Sequence, residues 1–226
     1  MKPSPYVTHA DLGGQRGHGR VRPEPEGELF HASWEPRVLA LTLAAGATGA
    51  WNLDMGRSAR ETLPEYARLS YYEIWFAGLS KLLARHGLVS AREAAGGHAL
   101  GPPRPVARKL MASGVAAAVA RGSPTARSIP QPARFAVGDR VRLHCGQVPH
   151  HTRLPGYMRG KAGTVERVHG AHVFADAHAL GRGEDPRWLY TVAVRGTELW
   201  PAREDAGEAE HLTVSIDAWE PYLEPL

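Results

Sequence analysis

Apolar residues recur at three- and four-residue steps through the first half of the chain and at every second residue through the last third, so the pattern separates a helical part from a sheet part. The strongest helical signal is PEYARLSYYEIWFAGLSKLLARHG. Here Leu69, Tyr72, Trp75, Phe76, Leu79, Leu82 and Leu83 fall on one face of a 3.6-residue period. Gly87 follows Arg85 and His86 and predicts the stop, because glycine accepts the left-handed cap and cations suit the negative end of the helix dipole. Ser90 and Glu93 have the spacing of a capping box and predict a further short helix. Upstream, Val38, Leu39, Leu41 and Leu43 predict a short buried helix ending near Gly46 and Gly49, and another helix is expected from Val106 to Arg121.

Pro124, Pro130 and Pro132 disfavour helix and predict an extended linker over 126–133, with a domain boundary near residue 130. Beyond it the period becomes two. Val141, Leu143 and Cys145 alternate with Arg140, Arg142 and His144; Tyr190, Val192 and Val194 alternate with Thr191, Ala193 and Arg195; Leu212, Val214 and Ile216 alternate with Thr213, Ser215 and Asp217. Glycine-marked turns between such strands predict a small SH3-like antiparallel barrel over 134–226. Residues 1–30 are rich in glycine and proline and lack apolar periodicity, so they are expected to be an extended arm that lies on another surface. The fold class is α+β: the arm, a mainly helical domain over 31–125, the linker and the barrel.

Composition narrows the function classes. The 226 residues are 43% hydrophobic and 22% charged, a globular balance. No run reaches the roughly eighteen apolar residues of a membrane span. The N-terminal residues lack the apolar region of a secretory signal, so a cytoplasmic protein without a membrane partner is expected. The net charge of +4 is spread along the chain, which favours solubility over nucleic-acid binding. Cys145 stands alone, unable to form an internal disulfide or a thiolate cage, and its place on the inner side of an alternating strand predicts a small buried hydrophobe.

His150, His151, His169, His172 and His178 invite a metal reading, but none has the HExxH spacing and no second cysteine completes a zinc set, so no metal is expected on this chain. No nucleophile elbow, phosphate loop or dinucleotide fingerprint is present. FAVGDRVRLH followed by GKAGTVERV is similar to small SH3-like barrels of RNA-binding modules, in which Arg140, Arg142, Arg159 and Lys161 would grip phosphates. That RNA-binding reading is the alternative from a different class.

Taken in order, DLGG, LFHASWE, NLDMGR, SYYEIW, FAVGDRVR, HTRLPGYMRGKAGTV, GRGEDP, LYTV, ELW and WEPYLEP resemble the β subunit of nitrile hydratases, from Asp11 to Pro225. The resemblance implies a hydro-lyase that converts a nitrile to its amide at a cobalt(III) or iron(III) centre. It implies that the metal is held by oxidised cysteines and backbone nitrogens of a separate α subunit, and that this chain is active only with it. An αβ heterodimer or α2β2 heterotetramer follows, with a small-molecule nitrile as substrate and the arm wrapping the partner.

The residues that match the family's positions are Arg57 and Arg159, as donors to the oxygens of the oxidised α-chain cysteines, and Tyr71, Trp75 and Leu53, as substrate-binding wall. Guanidinium suits the first role because it presents fixed donors and stays charged at every working pH. Each arginine has a local alternative, pairing with a carboxylate such as Asp54 or Glu61, and Trp75 also suits plain core packing, since it lies on the apolar stripe. Gly56 and Ile74 depart from residues many members carry, an aromatic and a histidine respectively. Two relatives in kind remain as alternatives: a thiocyanate hydrolase subunit and a metallochaperone or activator-type protein.

Overall fold

The computed structural model describes residues 7–15, 17–201 and 210–226. The chain forms two compact units, Met1–Gly122 and Ser123–Leu226.

In the first unit, side-chain caps mark the starts of the helices that open at Leu53, Tyr71 and Ala91. Helix α1 (Glu35–Ala47) starts where the Glu35 carboxylate accepts from the backbone N–H of His31 at 2.6 Å, with Pro36 just inside the first turn. Helix α2 (Leu53–Glu61) is capped by Asn52, whose Oδ1 accepts from Met55 N–H at 2.9 Å. Helix α3 (Tyr71–Arg85) opens on a capping box in which Glu73 accepts from Ser70 N–H at 2.7 Å; those hydrogen bonds from Ser70 lower the Glu73 pKa. The residues before it form only a 3-10 turn, Tyr66–Arg68. Gly87 (φ 64°) ends α3 in the left-handed conformation, as its position after Arg85 and His86 predicts. The Ser90–Glu93 capping box is formed and starts α4 (Ala91–Gly96).

Two expectations for this unit need correction. Helix α1 is not buried as a stripe: Val38 is, but Leu41 and Leu43 are exposed on this chain. The helix expected over 106–121 shrinks to a 3-10 turn and α5 (Val115–Arg121), because Gly101, Pro102, Pro103 and Pro105 precede it and only Val115–Arg121 forms an uninterrupted helical run.

The second unit is a six-stranded antiparallel sheet. Strands β2 (Arg140–Leu143), β3 (Ala162–His172), β4 (Arg187–Arg195), β5 (Thr213–Trp219) and β6 (Leu223–Pro225) run in the order β5-β4-β3-β2-β6, and β1 (Ala126–Arg127) pairs with the end of β3. Two short helices, α6 (Ala175–Ala179) and α7 (Gly196–Leu199), sit between strands. Val141, Leu143, Tyr190, Val192, Val194 and Ala218 are fully buried, so the two-residue alternation read on β2 and β4 does mark the inner face. Strand β3 shows no clean alternation because its register with β4 shifts twice, between Val165 and Arg167 and between Val168 and Gly170. Among the described residues the ladder is open, with β5 and β6 at its two ends.

Within the segment expected to be an extended linker, Ala126 and Arg127 pair with His172 and Ala171. Cys145 also departs from expectation. Strand β2 ends at Leu143, so the alternation no longer applies two residues later, and Cys145 is exposed.

Candidate functional site

On the first unit, Leu53 and Arg57 stand on α2, and Tyr71 and Trp75 on α3. Leu53 and Tyr71 are exposed, at 45% and 64%. Arg57 Nη1 donates to Asp54 Oδ1 at 3.0 Å, one turn back on α2, and Asp54 is buried. The local carboxylate alternative is thus realised in the chain by itself, with the Arg57 side chain 39% exposed. The Tyr71 and Trp75 ring centroids are 5.5 Å apart, Tyr71 and Tyr72 meet edge to face at 5.2 Å, and Phe30 reaches Tyr72 at 5.5 Å. Such spacings are those of attractive aromatic pairs.

Arg60 joins these residues, and sequence reasoning missed it. Its Nε donates to the Gly56 carbonyl at 3.1 Å, and its guanidinium carbon lies 4.8 Å over the Trp75 ring. The aliphatic stem crosses α3 at Gly78, where an added Cβ would stand 2.4 Å from Arg60 Cγ. Burial lowers the Arg60 pKa, and the neighbouring Arg57 cation on the same helix lowers it further. The available signal was the spacing: Arg57 and Arg60 lie three apart on α2, and Gly78 stands beside the apolar stripe of α3, where it leaves room for a neighbour.

On the second unit, Arg159 ends the 3-10 turn Gly156–Met158. It is half-buried on the wall of a cavity of about 590 Å³, whose other lining includes His144, His150, Thr152, Asp176 and Tyr222. Its Nη2 makes a long contact of 3.5 Å to the Leu154 carbonyl. Tyr222 donates to the buried Asp176 carboxylate in a short hydrogen bond and accepts from Thr152 Oγ1 at 3.0 Å and from Arg153 N–H at 3.1 Å. Burial raises the Asp176 pKa against the pull of Tyr222 and His150, whose Nδ1 is 3.7 Å away. Burial and the adjacent carboxylate push the Tyr222 phenol up as well.

The histidines are distributed to local partners. His169 Nε2 lies 2.7 Å from Thr191 Oγ1, His172 Nδ1 lies 3.0 Å from Thr125 Oγ1, and His150 faces Asp176. Among the described residues no group of three or more His, Cys, Asp or Glu could hold a metal ion. Of the basic residues considered for phosphate, Arg142 donates to the Gly160 carbonyl at 2.9 Å and Lys161 to the Glu198 carbonyl at 3.0 Å. Both therefore serve the fold. No helix among the described residues is long and apolar enough to cross a membrane.

Comparisons with known proteins cover both units. Residues 7–117 match the family model described as nitrile hydratase beta subunit, N-terminal, and residues 124–225 match nitrile hydratase beta subunit, C-terminal. The low-molecular weight cobalt-containing nitrile hydratase subunit beta of Rhodococcus rhodochrous is 36% identical over 95% of this chain and 97% of its own length. The cobalt-containing nitrile hydratase subunit beta of Pseudonocardia thermophila is 31% identical over 95% of this chain and 94% of its own. Thiocyanate hydrolase subunit alpha of Thiobacillus thioparus is 34% identical over 40% of this chain and 71% of its own length. Matched through both of its units and along nearly the whole length of such relatives, the chain belongs to the nitrile hydratase β-subunit family.

Proposed function

We propose that this chain works as the β subunit of a nitrile hydratase, in which R–C≡N and water become R–C(=O)NH2 only when an α subunit is bound. The observation that carries the reading is the unbroken match to cobalt-containing β subunits across both units. We assign the metal to the α subunit, as the family resemblance implies, with cobalt as the ion named for the relatives and iron as the alternative; among the described residues no group of three or more His, Cys, Asp or Glu could hold it. An αβ heterodimer or α2β2 heterotetramer in the cytoplasm is the proposed assembly, with the described part of the arm lying on the α subunit; residues 1–6 and 16 of that arm lie outside the described residues. The open six-stranded sheet is read as an SH3-like barrel module.

The chemistry assigned to this chain is orientation. Arg57 and Arg159 donate hydrogen bonds to oxygens on the α subunit's oxidised cysteines, a task that needs a permanent charge and a planar fork. For Arg57 the support is its geometry: Asp54 accepts from Nη1 at 3.0 Å, and the side chain stays partly exposed on this chain. Tyr71 and Trp75, whose rings meet at 5.5 Å, and the exposed Leu53 are read as the substrate wall, apolar with one hydroxyl and suited to a small nitrile that carries a polar end and an apolar body. A thiocyanate hydrolase subunit is the weaker reading, since that likeness spans 40% of the chain.

The test compares amide formation from a nitrile by the purified chain alone and by the chain co-expressed with a partner bearing a cysteine cluster. Activity is expected only with the partner. Nitrile hydration by the single chain, or salt-dependent RNA binding without a partner and no hydration with one, would overturn the proposal.

A further inference from the structure

The segment from His144 to Gly160 is a long connection carrying only one 3-10 turn, yet it bears Arg159. Loops of that length are held by their own side chains or they wander. Its base is closed by the backbone: Gly160 N–H donates to the Leu143 carbonyl at 2.8 Å and Leu143 N–H to the Lys161 carbonyl at 2.9 Å. Its middle is held at the phenol oxygen of Tyr222, and His150 in the same loop faces Asp176 at 3.7 Å. That oxygen accepts from Thr152 Oγ1 and from Arg153 N–H and donates to Asp176, so its hydrogen-bonding capacity is filled.

Tyr222 belongs to the 3-10 turn Glu220–Tyr222, and its neighbour Leu223 pairs with Leu143 on β2; Asp176 belongs to α6. Two separately anchored elements thus grip the loop. From Thr152 the contacts continue toward the arginine: Leu154 N–H donates to Thr152 Oγ1 at 3.3 Å, and the Leu154 carbonyl meets Arg159 Nη2. Asp176, Tyr222, Thr152, Leu154 and Arg159 all line the same cavity. Burying a carboxylate is costly, and a phenylalanine would fill the place of Tyr222 without it.

We infer that Tyr222 and Asp176 are positioning residues that hold the His144–Gly160 loop so that Arg159 points in its working direction; this rests on the role given to Arg159 above. The test uses the enzyme assembled with its α subunit and the variants Tyr222→Phe, Asp176→Asn, Arg159→Lys and the double variant of the first and third. Tyr222→Phe is expected to lower kcat about tenfold with KM little changed, since a displacement on the order of 1 Å at a catalytic contact has effects of that size or larger. Asp176→Asn keeps an oxygen acceptor for the phenol and is expected to retain most of the turnover. The double variant is expected to be no slower than Arg159→Lys, because both changes remove the same contact.

If the losses of the two single variants multiply, or if Tyr222→Phe retains full kcat, the clamp is overturned while Arg159 keeps its role. Full turnover in Arg159→Lys overturns both. Should Tyr222→Phe fail to assemble, Thr152→Val removes a donor to the same oxygen, and the same non-additivity with Arg159→Lys is required of it.

Discussion

Gly78→Ala sets local helix propensity against the packing of α2 on α3. Alanine in a helix interior is favoured over glycine by about 1 kcal/mol, so propensity alone makes the variant more stable. The structure reverses the sign. The new Cβ would lie 2.4 Å from Arg60 Cγ and 3.5 Å from Arg60 Cα, so relief requires the stem of Arg60 to move, and α2 is directly behind it. Moving it gives up the hydrogen bond to the Gly56 carbonyl, about 1 kcal/mol, and the contact over Trp75, about 1 kcal/mol. Overpacking between the helices adds about 2 kcal/mol. The net expectation is a loss of about 3 kcal/mol, read as a lower urea midpoint with unchanged slope for the full chain followed by tryptophan fluorescence. Arg60→Ala in the same background removes the clashing carbon and should recover part of the loss. A midpoint at or above that of the parent chain would refute the reasoning.

Arg57→Lys, in complex with the α subunit, is expected to lose most turnover while assembly is kept, since lysine cannot replace a planar fork already engaged with Asp54 on one edge; near-normal activity would remove Arg57 from the site. Gly163→Ala brings a Cβ to 2.6 Å from Val192 Cγ1 and 2.7 Å from the Ala193 carbonyl oxygen, a backbone atom that cannot rotate away. A destabilisation of about 3 kcal/mol or more is expected by denaturation, and an unchanged midpoint would show that β3 and β4 are less closely apposed. Asp176 has a folded pKa raised by burial, so between its unfolded and folded values the native state binds more protons and stability falls as pH rises through that window. Asp176→Asn should flatten this part of the stability profile; an unchanged slope there would assign it to other groups.

Much of the fold is legible in the chain because it rests on nearest-neighbour physics. The Ser90–Glu93 capping box, the left-handed Gly87 and the stripe that buries Leu79 and Leu82 depend on residues within a turn or two, and so does the alternation that buries Val141, Leu143, Tyr190, Val192 and Val194. The candidate site residues were legible in another way, through ordered phrases that match a family, and only their surroundings are supplied by the structure.

Legible in the residue order alone are helix α3, the capping box of α4, the inner faces of β2 and β4, and, through the ordered phrases, the family; α2, α6, α7, β1 and β6 are not. The tertiary structure alone decided that β3 spans two register shifts that erase its alternation, that Cys145 lies past the end of its strand and is exposed, and that Ala126 and Arg127 enter the sheet. It alone brought Arg60 under Trp75 and Tyr222 to Asp176 and Thr152. The physical reason is range. Caps and amphipathic periods are set by groups a few residues apart, whereas these contacts join residues 15 to 70 positions apart, and which of many polar groups meet is settled only when the chain has packed.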